Sequence, residues 1–165
     1  MKESGIKAIF PGTFDPFTNG HLDLVRRGCR IFGGVLVAVA RSDRKDALFS
    51  LRERVDMVRR ATEGIEGVSV VGFEELLVEL AARERVSVVM RGLRVFSDFE
   101  YELQMALMNR RLSRELEAVF LMPSEEYTYL TSTLVKEIFS LGGDVSALVP
   151  PIVLDMLGEK LGNKD

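Results

Sequence analysis

The chain has one cysteine and one histidine, and it contains no long apolar run. Cys29 alone excludes an intrachain disulfide; it falls on an apolar helical stripe and reads as a small buried hydrophobe. The longest apolar run, Val35 to Ala40, is far too short to cross a bilayer, so no membrane partner is expected. The start, Met1-Lys2-Glu3-Ser4-Gly5, does not resemble a signal peptide, and the expected location is the cytoplasm. A basic excess is missing too: 22 Lys and Arg against 25 Asp and Glu give a net charge of -3, which argues against a nucleic-acid partner. Repeats, low-complexity stretches and linkers are absent from the 165 residues, which suit one domain over 1–165 with a substantial core.

Five short apolar segments read as buried strands: Ile6–Phe10, Val35–Ala40, Val68–Phe73, Val86–Met90 and Ala118–Met122. Helical spacing fills the intervals. Leu22, Val25, Cys29 and Phe32 form one stripe, and Ser50-Leu51-Arg52-Glu53 is a capping box opening a second helix. Further helices are expected over Glu74–Arg85, from Ser97-Asp98-Phe99-Glu100, over Ser132–Leu141 before Gly142-Gly143, and after Pro150-Pro151. The helix from Ser97 carries two apolar stripes, Phe99, Leu103, Ala106 and Leu107 on one side, Tyr101, Met105, Met108 and Leu112 on the other. One stripe is expected on the sheet, leaving the other for a second partner. Strictly alternating strands and helices predict a doubly wound, five-stranded parallel sheet. In such sheets ligands bind beyond the carboxyl ends of the strands, so the loops after each strand are the ones to inspect.

Two phosphate-binding signatures are missing there: no Gly-x-x-x-x-Gly-Lys loop and no dinucleotide fingerprint. What is present is Pro11-Gly12-Thr13-Phe14-Asp15-Pro16-Phe17-Thr18-Asn19-Gly20-His21, a loop fixed by two prolines and two glycines, with a helix starting around His21. That places His21 and several N–H groups at a helix N-terminus, where anions are favoured. Taken alone, a lone histidine is more often a cap or a core residue. Arg41 to Asp46 puts three cations at the second strand's end, and Arg91-Gly92-Leu93-Arg94 offers two arginines around a glycine. Tyr127-Thr128-Tyr129-Leu130-Thr131-Ser132-Thr133 brings hydroxyls and N–H groups to another helix start, where they are also ordinary caps. Phosphate-binding chemistry thus recurs at four of the five strand ends, on one rim of the sheet.

The same loops carry a resemblance. Pro11 to Pro16, Thr18-Asn19-Gly20-His21, Glu53-Arg54-Val55, Val70 to Phe73, Arg91 to Arg94, Asp98 to Glu102, Met108-Asn109-Arg110, Phe120 to Ser124 and Leu134 to Glu137 occur in the order found in bacterial phosphopantetheine adenylyltransferases. The chain resembles that family, within the nucleotidyltransferases marked by His/Thr-x-Gly-His. The resemblance implies a Rossmann-like fold, transfer of AMP from ATP to 4′-phosphopantetheine with Mg2+ carried largely on the nucleotide, and a homohexamer. It implies ATP contacts from Thr13, Phe14, His21, Gly92, Leu93, Arg94, Glu102 and Tyr127 to Thr133. Thr13, Lys45, Leu77 and Arg91 would meet the acceptor, with His21, Lys45 and Arg91 catalytic. The chain departs from the family's run of three serines at Thr131-Ser132-Thr133 and from its usual Lys-Pro at Asp46-Ala47. Relatives with the same core, nicotinamide-nucleotide adenylyltransferases and cytidylyltransferases, are the alternative enzymes, and a regulatory nucleotide-binding module without turnover is the alternative from another class.

Overall fold

The computed structural model describes residues 7–43, 46–94 and 96–162. Five parallel strands form one sheet: β1 (Lys7–Gly12), β2 (Gly34–Ala40), β3 (Val68–Phe73), β4 (Val88–Gly92) and β5 (Glu117–Leu121), in the order β3-β2-β1-β4-β5. The helices are α1 (Asn19–Phe32), α2 (Leu51–Ala61), α3 (Leu77–Glu84), α4 (Phe96–Leu112), α5 (Ser132–Ser140) and α6 (Pro151–Leu161), with a 3-10 turn over Glu125–Tyr127. The expected doubly wound parallel sheet is therefore present.

Side chains alternate along each strand and build two cores. Ala8, Phe10, Val35, Val37, Val39 and Met90 face α1, α2 and α6, while Ile9, Leu36, Ala38 and Val89 face the side where Leu80 and Ala81 of α3 pack. The predicted stripe of α1 lies on the first core; Leu22 and Val25 are buried, and Cys29 and Phe32 pack against them. Gly28 lets α1 approach the sheet, because a Cβ there would stand 2.6 Å from Met90 Sδ and 2.8 Å from Val35 Cγ2.

Several boundaries differ from the sequence reading. Arg91 and Gly92 complete β4, since they pair with Phe120 and Leu121 across the ladder. Pro11 and Gly12 likewise extend β1 beside Ala38 and Val39. The helix α1 starts at Asn19, two residues before His21. The third helix shortens to Leu77–Glu84, because Leu76 is its cap and the Glu79 carboxylate accepts from the Leu76 N–H. The helix α4 is already under way at Phe96, so Ser97 is not its cap.

The order of the strands fixes where a ligand can enter. The chain builds outward from β1 to β3, returns across the sheet, and builds β4 and β5 on the other side of β1. Loops leaving the carboxyl ends of β1 and β4 therefore diverge, and a crevice opens between them.

Candidate active site at the switch point

That crevice is a cavity of ≈ 720 Å³. Thr13, Phe14 and His21 line it from the β1 side, Arg91, Gly92, Arg94 and Glu102 from the β4 side, and Tyr127, Leu130, Thr131, Ser132 and Thr133 from the segment leading into α5. The structure thus brings together most of the residues that the sequence singled out. Leu93, Thr128 and Tyr129 are not among the lining residues, and Tyr129 is largely exposed. Leu77 also stays outside it, packed as the first residue of α3 against the second core. Arg41 pairs with Glu74 at the surface. Lys45 lies outside the described residues.

His21 owes its position to the start of α1. Thr18 is the cap, its hydroxyl accepting from the His21 N–H at 3.3 Å while the Thr18 N–H donates to His21 Nδ1 at 3.0 Å. This is a capping box in which an imidazole nitrogen does the work usually left to Glu or Gln. Because Nδ1 accepts, the neutral ring carries its proton on Nε2. The ring is packed by Phe10, Phe14 and Phe17, with Phe17 stacked at 5.5 Å and Phe14 edge-on at 5.0 Å. Phe14 holds its place with φ of 53°, a left-handed conformation unfavourable for a bulky residue, and a Cβ on Gly12 would come within 2.7 Å of its ring.

The cations of the site are held as firmly. Arg91 donates from Nε and Nη2 to both carboxylate oxygens of Glu102, at 2.9 and 2.5 Å, and from Nη1 to the Pro11 carbonyl. Glu102, buried on α4, thus accepts from Arg91 on both of its oxygens. The guanidinium edge aimed at Glu102 is not the one left for a phosphate. Arg94 donates to the Leu130 carbonyl at 3.0 Å, tying the β4 end to the segment before α5. At the start of α5 the Thr131 hydroxyl caps the Leu134 N–H, and the Ser132 hydroxyl donates to Pro16 at 2.7 Å. The anion-binding capacity there rests on the helix N-terminal N–H groups and Thr133.

Lys136, Asp15 and Arg54 stand in the quoted sequence runs but were given no role. Lys136 lines the cavity one turn beyond Ser132, a spacing of four that puts both on one face of α5. Arg54 occupies the apolar stripe of α2 with Leu51, Met57 and Val58, and a charge in such a stripe is the signal that it is buried with partners.

Burial of the His21 ring pushes its pKa down to about 3, and the nearby Arg94 and Arg91 charges push the same way. The ring is neutral at pH 7. Since the folded value lies below the ordinary 6.5, the unfolded chain takes up a proton that the folded chain refuses. The stability this group contributes is present above about pH 6.5 and is lost as pH falls toward 3. In an NMR titration of this sole histidine, its ring C–H signals should not move between about pH 8 and about pH 5. A midpoint near the ordinary value would contradict the enclosure.

The cytidylyltransferase-like family profile matches residues 9–138, a span that runs from β1 into α5. The phosphopantetheine adenylyltransferase of Moorella thermoacetica is 51% identical over 155 residues, covering 94% of this chain and 97% of that protein. The chain belongs to the cytidylyltransferase-like nucleotidyltransferases and, among them, to the phosphopantetheine adenylyltransferase family.

Proposed function

We propose that the chain transfers AMP from ATP to 4′-phosphopantetheine, giving dephospho-CoA and pyrophosphate, a step in coenzyme A biosynthesis. The observation that carries this reading is the gathering of His21, Arg91, Arg94 and the α5 N-terminus around one cavity at the switch point, in a chain with such a relative. The attacking group is a phosphate, whose second pKa of about 6 leaves it mostly dianionic near neutral pH, so no general base is required. Catalysis then rests on alignment, worth roughly 7–11 kcal/mol, and on donors aimed at developing charge, worth about 3 kcal/mol each. His21 is the donor we assign to the α-phosphate: neutral, fixed by Thr18, with its remaining proton on Nε2. Arg91 and Lys45 receive the acceptor phosphate, and Arg94 with the Tyr127–Thr133 segment receives the nucleotide.

Magnesium belongs to the substrate in this reading, entering on the triphosphate and offsetting its charge. Among the described residues no group of three or more His, Cys, Asp or Glu side chains is placed to form a cage, and the donor set that lines the cavity suits a metal carried by the nucleotide. A cytoplasmic location and the absence of nucleic-acid or membrane partners are part of the same proposal. No helix among the described residues is long and apolar enough to cross a membrane.

The proposal extends to assembly. On α4 the face turned inward is Glu102, buried, with the half-buried Ala106 and Asn109. Of the two predicted stripes only Ala106 turns inward. Phe99, Leu103 and Leu107 are exposed, and so are Tyr101, Met105, Met108 and Leu112. So much apolar surface on one helix supports burial against other copies of the chain, the homohexamer that the family resemblance implies.

The acceptor assignment predicts pyrophosphate release from ATP and magnesium with 4′-phosphopantetheine, little with nicotinamide mononucleotide and none with unphosphorylated pantetheine. In the same assay His21→Ala should lower kcat about 100- to 1000-fold while ATP affinity changes much less. Faster turnover with nicotinamide mononucleotide, or equal turnover with pantetheine lacking its phosphate, would overturn the assignment. For assembly, light scattering at micromolar concentration should give a mass near six times 18.5 kDa, and a monomer alone would reject the hexamer.

A further inference from the structure

Behind the cavity wall formed by the segment after β2, the acceptor side if Lys45 has its proposed role, lies a charged cluster that the proposed chemistry leaves unused. Arg54 is 2% exposed. Its Nε donates to the Phe49 carbonyl at 3.1 Å, and Nη1 to the carbonyls of Thr13 at 2.6 Å and Ala40 at 2.7 Å. Asp15, 7% exposed, accepts from the Phe49 N–H at 2.9 Å on Oδ1. Its Oδ2 accepts from the Leu48 N–H at 2.9 Å and from Lys136 Nζ at 3.0 Å. The Asp15 charge in turn favours the charged Arg54 against its burial. Two cations and one anion therefore join four elements: α2, the loop after β1, the segment leaving β2, and α5.

The segment leaving β2 is fastened at both ends. At its start, Arg54 holds the Ala40 carbonyl, and the Arg41 N–H donates to Phe73 of β3 at 2.9 Å. At its finish, Asp15 and Arg54 together hold Leu48 and Phe49. Between these anchors it gives Ser42, Asp46, Ala47 and Leu48 to the cavity wall. The opposite wall is fastened separately. There the Ser124 hydroxyl and Arg27 both donate to Asp23, and Arg94 donates to Leu130.

We propose that Arg54, Asp15 and Lys136 form a positioning network that sets the acceptor wall of the cavity, with Lys136 acting through Asp15 and not on a substrate. The proposal rests on the reading of this cavity as the site of adenylyl transfer to a phosphorylated acceptor. A carboxylate buried this deeply needs its charge compensated, and removing one partner of such a pair is costly. Without Lys136, Asp15 would be balanced by Arg54 alone. Its hold on the Leu48 and Phe49 N–H groups would loosen, and with it the wall those residues anchor. The nucleotide wall, with its own fastenings, would stay.

Lys136→Met and Lys136→Arg test this by two readouts on the purified proteins. Hydrogen–deuterium exchange at Leu48 and Phe49 should rise about tenfold or more in Lys136→Met and return to the wild-type rate in Lys136→Arg. In steady-state kinetics Lys136→Met should raise KM for 4′-phosphopantetheine about tenfold while KM for ATP stays within about twofold, and Lys136→Arg should restore it. Unchanged exchange overturns the network whatever the activity. A rise in the ATP KM in place of the acceptor KM makes Lys136 an ATP ligand and overturns the positioning role. A wild-type protein that turns over no phosphorylated acceptor sinks the functional reading, and exchange at Leu48 and Phe49 then decides the network by itself.

Discussion

One hydrogen bond, from the Thr18 N–H to His21 Nδ1, sets the terms for the rest of the site. It satisfies a donor that the first turn of α1 would otherwise leave open, and it fixes where that helix begins. The same bond turns the imidazole between Phe14 and Phe17 and leaves the proton on Nε2. Local helix chemistry, core packing and the tautomer of the ring are in this way a single arrangement. Phe14 bears the cost, with its backbone held in the left-handed region.

A second regularity follows from the same economy. None of the described cations around the cavity stands loose: Arg91 is forked on Glu102, Arg94 rests on the Leu130 carbonyl, and Arg54 and Lys136 are tied to carbonyls and to Asp15. Side chains already ordered before substrate arrives lose little further freedom when it binds. Charges with fixed directions also need little reorganisation when new charge develops, which is how a site without a general base can lower a barrier. Through Glu102 this order reaches α4, much of whose outward surface is apolar. The helix that holds Arg91 is therefore also the helix that carries this exposed apolar surface.

Much of this was legible in the sequence because apolar runs and capping residues act locally. The strands were found from Val, Ile and Leu runs, and the Ser50 box opens α2 as read. What escaped depends on partners distant in the chain. Arg91 and Gly92 look like loop residues until Phe120 and Leu121 supply the ladder that makes them strand. The inward face of α4 was misread because its apolar residues run round the helix, and the residue that docks it is a glutamate answering an arginine eleven positions earlier. Arg54 interrupts an apolar stripe for the sake of three carbonyls, one on the loop after β1 and the others at the end of β2 and on the segment leaving it. Leu77 was placed by resemblance, and here it packs on a core away from the cavity lining.

The central claim is that burial keeps the His21 ring neutral and that Thr18 fixes its proton on Nε2, ready to donate. The chain has a single histidine, so its two ring nitrogens give the only imidazole signals in a long-range proton–nitrogen correlation spectrum of the labelled protein. At pH 7 without ligand, the account predicts a bare, accepting Nδ1 and a protonated Nε2. A proton found on Nδ1, or a doubly protonated ring at that pH, would contradict it.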